Sequence, residues 1–259
     1  MSLRRGLGLY LLAVVVLCEL ATLLLLLGLP LPVTPGVVGI LLAGPGLALA
    51  LLWRRLGHPL EGGPGGGWAL AGVINVLCWG SSYFVLGALI PESRHHTLPD
   101  PVLSWLPVTP AFSVIYVAVH PFNALPWFLH PSAAALKRLA LAMGLMLGVS
   151  VAVWLAWPVA TIRVLPPEGA GDLGSWVLGQ VYATDPAANC LPSAHCALAT
   201  CGALSLRGTH RGLGLWAGIT CAIICLSTLF THQHYLLDVL SGVGLGIGAW
   251  WAAGRLPAR

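Results

Sequence analysis

The sequence predicts an all-α integral membrane protein of about eight transmembrane helices. Three observations predict it. Of 259 residues, 58% are hydrophobic and only 8% charged, with a mean hydropathy of +0.88. A soluble domain of this length cannot hide that much apolar surface, so lipid must act as part of the solvent. Apolar stretches of the length that crosses a bilayer recur along the chain. The basic residues fall on alternate connections between those stretches.

The apolar segments occupy residues 7–29, 36–53, 68–90, 108–129, 136–157, 193–206, 212–231 and 235–253. The first follows Arg4 and Arg5 and runs for a full span without a small-residue cleavage site. It reads as a retained helix rather than a removable signal. Glu19 within it is expected to pair inside the bundle or face a cavity, without a catalytic role. A Gly/Pro-rich link from Glu61 to Gly67 separates the first two segments from the rest. Residues 1–60 therefore read as accessory transmembrane helices and 68–254 as a six-helix core. The fourth segment carries Pro110, Pro121 and Pro126 and should be kinked, which a bundle interior tolerates. In the connection 158–192, Leu173, Trp176, Val177 and Val181 fall at helical spacing. That pattern fits a short amphipathic interfacial helix, acting as a lid, or a plain loop. The sixth segment is short for a span. No internal repeat suggests a transporter.

With eight spans, one face receives Arg4, Arg5, Arg54, Arg55, Lys137, Arg138, Arg207, Arg211, Arg255 and Arg259. The other has only Arg94 and Arg163, beside Glu92, Asp100, Glu168, Asp172, Asp185 and Asp238. The positive-inside rule makes the Arg-rich face cytoplasmic, with both termini, in the cytoplasmic (inner) membrane. The net charge of +4 is then a topology signal and gives no reason to expect nucleic acid as a partner. Tryptophans 105, 127, 157, 176, 250 and 251 near segment ends suit interfacial belts. His120, mid-segment, reads as a packed interior histidine. The seven cysteines follow no metal-ligand spacing and read as small buried hydrophobes, with Cys190–Cys196 the nearest to a disulfide pair. Neither His95-His96 nor His232/His234 comes with an evident third zinc ligand, so metal is not expected.

Two fragments carry chemistry. In Pro192-Ser193-Ala194-His195, Pro and Ser precede an apolar helix, as at a helix start. Free backbone N–H groups and the positive end of the helix dipole make an anion site there. Ser193 adds a hydroxyl, and His195 lies in the first turn. In Thr231-His232-Gln233-His234-Tyr235-Leu236-Leu237-Asp238, His234 and Asp238 share a helix face. Asp238 is placed to orient one imidazole nitrogen and leave the other as a nucleophile. Such groups at membrane depth are costly and are usually functional.

The order, spacing and membrane placement of these fragments resemble the type 2 phosphatidic acid phosphatase superfamily. The resemblance is closest to the branch that includes inositolphosphotransferase-like proteins. It rests on Pro192-Ser193-Ala194-His195 and on the run Ser227 to Asp238. Tyr182-Ala183-Thr184-Asp185-Pro186 and the stretch Pro121 to Trp127 support it. It covers roughly residues 100–245. The resemblance implies that His234 attacks phosphorus to form a phosphohistidine, with Asp238 orienting it. It implies that His195 protonates the leaving alcohol and then activates water or an acceptor alcohol. Arg163, Ser193 and helix-start amides would hold phosphoryl oxygens, with no metal or other cofactor. The chain departs from the family pattern at Leu165, where an Arg commonly precedes Pro, and at Thr228, where the family has Arg. The branch often has Lys where His232 stands, which makes His232 a further candidate for phosphate binding.

The expected function is hydrolysis of a lipid phosphate ester on the outer face of the membrane. Transfer of the phosphoryl head group to an alcohol acceptor is the alternative, and a non-catalytic lipid transporter a more distant one. Phosphatidate, an isoprenyl pyrophosphate and a phosphosphingolipid all suit the pattern.

Overall fold

The computed structural model describes residues 3–29, 67–130, 132–163 and 171–256. The expected second span, the Gly/Pro link except Gly67, and Leu165 lie outside the described residues. The helices are α1 (Leu3–Leu26), α2 (Gly67–Leu89), α3 (Pro101–Trp105), α4 (Phe112–Val117) and α5 (Val119–Leu129), followed by α6 (Ala133–Ala156), α7 (Leu173–Thr184), α8 (Ala194–Leu206), α9 (Arg211–Phe230) and α10 (Leu236–Ala253). Among the described residues there is no β-strand, only one parallel bridge between His96 and Val159. Among the described residues, five apolar stretches are long enough to cross a bilayer: Gly6–Leu26, Phe112–Leu129, Ala133–Ala156, Arg211–Phe230 and Leu236–Ala253. Ile74–Leu89 and Ala194–Leu206 are shorter apolar helices.

The fourth expected segment is split as its prolines dictate. Pro121 has no N–H to give to the carbonyl of Val117, and the helix breaks at Ala118 into α4 and α5. The connection 158–192 contains a helix, α7, rather than only a loop. Leu173 and Val181 are buried on its inner side and Trp176 is exposed on the other. Asp172 caps it by accepting from the Ser175 N–H at 3.0 Å.

The short helix α8 is the hub. It packs against α5, α6, α9 and α10, and all but two of its residues are buried. Its small residues let neighbours approach closely. The tightest approach is to α10. A Cβ on Gly242 would stand 2.5 Å from the Ser193 carbonyl oxygen, and one on Gly246 would stand 2.8 Å from that of Ala197. The backbone N–H of Ser193 donates to the Asp238 carbonyl at 3.1 Å. Glycine on α10 thus brings the starts of α8 and α10, and with them the two sequence motifs, into register. On the far side, α1 packs on α4 and α5. Its Glu19 accepts hydrogen bonds from Trp216 Nε1 at 3.1 Å and Thr220 Oγ1 at 2.5 Å, the intrabundle pairing expected.

Contacts sort the helix ends into two groups. At one end, Arg138 donates to the Trp250 carbonyl at 2.8 Å and His130 meets the Ser205 carbonyl at 3.1 Å. At the other, Arg94 donates to the Leu155 carbonyl at 2.6 Å and Thr109 N–H to the Phe230 carbonyl at 2.8 Å. Two expectations need correction. Trp127 is 1% exposed and belongs to the core beside Leu136 and Leu139, not to an interfacial belt. His120 is exposed, because a cavity opens beside it. All seven cysteines are free.

Candidate active site

The site forms at the end of the bundle where α8 and α10 begin and α9 stops. Ser193 is the N-cap of α8, its Oγ accepting from the Cys196 N–H at 3.3 Å. That leaves His195 in the first turn, among free amides. After Phe230 the chain reverses through His232, whose φ of +49° lies in the left-handed region. The N–H groups of Gln233 and His234 both return to the Thr228 carbonyl, at 3.0 and 3.2 Å. Tyr235 then starts α10, with its own N–H donating to Asp238 Oδ2 at 2.8 Å in a capping box. The turn that carries His234 is therefore closed by its own bonds.

Neighbouring segments clamp it. Thr161 Oγ1 donates to the His232 carbonyl at 2.9 Å, and Tyr182 Oη to that of Thr231 at 2.7 Å. Tyr235 Oη donates to the Ala160 carbonyl at 3.1 Å. Asp100 caps α3 through Oδ1 and accepts from the Leu236 N–H at 2.5 Å through Oδ2.

The two imidazoles face each other, with ring centroids of His195 and His234 5.7 Å apart. His234 Nδ1 lies 3.6 Å from Asp238 Oδ2, an ion-pair distance longer than a hydrogen bond, and both side chains are buried. His234 Nε2 has no hydrogen-bond partner among the described residues, and neither has Asp238 Oδ1. Burial is the largest single influence on His234 and disfavours its charged form, but Asp238 and Cys190 together outweigh it and hold the imidazole well above its ordinary value.

His195 is held differently. Its ring stacks on Tyr116 at 4.3 Å between centroids, and Tyr116 Oη lies 3.4 Å from His195 Nδ1. Tyr116 Oη donates to Asp185 Oδ2 at 2.7 Å. With its proton so committed, the phenol oxygen accepts from His195 Nδ1–H, and Nε2 is left for chemistry.

Arg163 is half-buried. It donates from Nη1 to the Tyr182 carbonyl at 2.8 Å and from Nη2 to Gln233 Oε1 at 2.9 Å. Its buried Nε has no partner among the described residues. Arg163 is thereby tied to the residue next to His234. His232 points elsewhere: its Nε2 meets the Leu106 carbonyl at 3.0 Å, so only Nδ1 is left to meet a ligand.

A cavity of about 310 Å³ adjoins His195 between α2, α4, α5, α7 and α8. Its walls are mostly apolar, with Tyr116, His120, Asn123 and Asp185 among the polar exceptions. Two imidazoles 5.7 Å apart, with a carboxylate behind each and an arginine tied to the neighbouring Gln233, can carry out nucleophilic and general-acid chemistry on a phosphoryl group.

The sequence profile of the PAP2 superfamily matches residues 104–252. The chain belongs to the PAP2 superfamily. No curated protein matches the chain. Membership supports a phosphatase- or phosphotransferase-type activity on a lipid phosphate in a membrane. The matched region holds all six residues singled out in the sequence: Arg163, Ser193, His195, His232, His234 and Asp238. Helix α2 lies outside it, so the α2 wall of the cavity belongs to the part of the chain that the PAP2 profile does not cover.

Several groups at this PAP2 site were not singled out in the sequence. Tyr116, and Asp185 through it, support His195 from 79 and 10 residues away in the chain; Asp185 lies in the Tyr182–Pro186 run that carried the resemblance, where nothing marked it as a site residue. Cys190 was read as a buried hydrophobe, yet its ligand atom and those of His234 and Asp238 all lie within 4.8 Å of one another, a grouping that could hold a metal ion. Burial pushes the Cys190 thiol up, and its Sγ donates to the Ala187 carbonyl at 3.2 Å. Asn189, just before it, donates from Nδ2 to the Tyr83 carbonyl at 2.8 Å and so fastens α2 to the site.

Proposed function

We propose that the protein hydrolyses a lipid phosphate monoester through a phosphohistidine at His234, on the outer face of the cytoplasmic membrane. The observation that carries this reading is the buried His234–Asp238 pair set opposite His195 at the head of an apolar cavity. The carboxylate faces Nδ1, so Nε2 is the nucleophilic atom. Nε2 attacks phosphorus as His195 Nε2–H protonates the departing alkoxide. The neutral His195 then takes a proton from water, whose oxygen attacks phosphorus and releases phosphate from His234. Arg163 Nε and the first-turn amides of α8, positioned by Ser193, stabilise the equatorial oxygens. His232 meets a phosphoryl oxygen through its remaining nitrogen.

Transfer of the phosphoryl group to a second alcohol is the other reading. The cavity beside His195 favours it, because an acceptor alcohol can occupy the space the first alcohol vacates. Purified protein given a labelled lipid phosphate, with and without alcohol acceptors, separates the two. Free phosphate in both arms supports hydrolysis, and a new phospholipid formed only with acceptor supports transfer. Absence of any turnover would leave a lipid transporter. Vanadate should inhibit, and chelators should leave the rate unchanged if the Cys190–His234–Asp238 trio works without a metal.

The orientation rests on charge. Lys137, Arg138, Arg207, Arg211 and Arg255 gather at the end away from the site, and Arg94 and Arg163 at the site end. A cysteine replacing exposed Ser93 in a cysteine-free background should react with an impermeant thiol reagent added outside, and one replacing exposed Gly208 should not. The reverse pattern would put the site in the cytoplasm.

A further inference from the structure

Behind the reacting ring of His234 lies a group of donor atoms that phosphoryl transfer does not fully use. Cys190, His234 and Asp238 are all buried, and one ligand atom from each lies within 4.8 Å of the other two. Neither nitrogen of His234 has a hydrogen-bond partner among the described residues, and neither has Asp238 Oδ1. His234 Nδ1 stands 3.6 Å from Asp238 Oδ2, too far for a hydrogen bond. On one tetrahedral zinc ion a nitrogen and an oxygen stand about 3.3 Å apart, and a nitrogen and a thiolate sulfur about 3.6 Å. The trio therefore closes by at most about 1.5 Å to take a cation between its members.

The backbone brings the three together beforehand. Cys190 N–H donates to the Val159 carbonyl at 3.0 Å, and its Sγ donates to the Ala187 and Gln233 carbonyls at 3.2 and 3.5 Å. The sulfur is thus held against the turn that carries His234. Asp238 Oδ2 is fixed by the Tyr235 N–H at 2.8 Å. His232, the sequence neighbour with which His234 lacked a third ligand, is turned to the Leu106 carbonyl. The fold gives His234 two other partners instead. A thiolate, an imidazole and a carboxylate suit zinc or cadmium and do not suit magnesium or calcium. One thiolate and one carboxylate neutralise a divalent cation, so the filled site buries no net charge.

We propose that Cys190, His234 and Asp238 form an inhibitory site for a thiophilic divalent cation, Zn²⁺ or Cd²⁺. The inhibition rests on the assignment of His234 as the nucleophile. On binding, a metal–sulfur bond replaces the S–H bond and the thiol proton passes to solvent. The Nδ1 lone pair goes to the metal. A neutral imidazole ligated at Nδ1 carries its proton on Nε2, so the lone pair that attacks phosphorus is gone. Removing the metal returns Nδ1 to Asp238 and Nε2 to the substrate.

The test uses full-length protein in detergent micelles, stripped with a chelator that is then removed. The probes are Zn²⁺, Cd²⁺ and Mg²⁺ alone. Binding is read without turnover, by the ultraviolet cadmium–thiolate absorption and by competition with a chromophoric chelator for Zn²⁺. Turnover is read on a lipid phosphate monoester. Zn²⁺ and Cd²⁺ should each bind and lower the rate, the chelator should restore it, and Mg²⁺ should do neither. Cys190→Ser keeps a donor for the Ala187 carbonyl and gives the metal a poor ligand. It should lose the absorption that the first equivalent of Cd²⁺ produces. It should also need on the order of a hundredfold more Zn²⁺ to halve its own metal-free rate. Asp238→Asn, read by binding alone, provides a second variant if Cys190→Ser does not fold, and should bind Zn²⁺ about tenfold or more weakly. Equal Zn²⁺ affinity in wild type and Cys190→Ser, or an equal effect of Mg²⁺, overturns the site and leaves the phosphatase reading intact. Zn²⁺ bound through Cys190 that raises turnover overturns the inhibitory role. Cys190-dependent binding in a protein with no turnover and no phosphohistidine supports the site and overturns the phosphatase reading.

Discussion

The ring centroids of His234 and His195 lie 5.7 Å apart, yet the two rings are held in opposite ways. His234 meets its carboxylate directly, four residues along the chain, in a pocket where both are buried. His195 reaches a carboxylate only through a phenol, Tyr116, and its flank borders an open cavity. A direct carboxylate stabilises a charged imidazole and fixes which nitrogen is free, which suits the nucleophile. A phenol between ring and carboxylate fixes orientation while leaving the ring able to give and take a proton on the substrate side. The asymmetry is what the proposed mechanism uses: in it the enclosed ring bonds to phosphorus, and the ring beside the cavity handles the alcohol.

Changes to the two sides should fail differently. Asp238→Asn should lower turnover by about 10⁴-fold, as for loss of a triad carboxylate. It should also move the acid limb of the pH–rate profile. His234 must be neutral to attack, and Asp238 raises the pH at which it loses its proton. Activity in wild type therefore falls as pH drops through that raised value, and the limb should move to lower pH in Asp238→Asn. An unmoved limb would separate His234 from Asp238. His195→Ala should lose about 10²- to 10⁴-fold with a lipid substrate. With p-nitrophenyl phosphate, whose leaving group needs no acid, it should give a burst of nitrophenol followed by a stalled enzyme. Equal losses on both substrates would remove the acid role. Tyr116→Phe should cost about tenfold on lipid substrate and less on p-nitrophenyl phosphate, because the phenol acts through His195.

The smallest effect concerns His232. His232→Gln should raise KM severalfold, and His232→Lys should keep it close to wild type. An unchanged KM in both variants would reduce His232 to a brace for the Leu106 carbonyl.

The same asymmetry explains what was legible in the sequence. The His234–Asp238 pair is local, and its four-residue spacing announced the contact, but His234 lies in the turn before α10 and not on a shared helix face, so the turn brings it to Asp238. Ser193 as a cap before His195 is local too, and the structure shows that cap. The helical segments, the break near Pro121 and the pairing of Glu19 follow from hydropathy, a missing N–H and the cost of a carboxylate in lipid. Tyr116, Asp185, Asn123 and Trp79 were not legible as cavity residues. They come from separate helices and loops, and only the packing of α4, α5, α7 and α2 around α8 brings them to one cavity. His120 was misread for the same reason. A histidine in mid-helix looks packed until the neighbouring helices are known to leave a gap.

The most direct test is to identify the residue that carries phosphate during turnover. Protein mixed with a ³²P-labelled lipid phosphate, quenched in base and mapped by mass spectrometry should carry acid-labile phosphate on His234. His195→Ala given p-nitrophenyl phosphate should accumulate it, and His234→Ala should show neither label nor turnover. Label on any other residue, or full turnover in His234→Ala, would contradict the assignment.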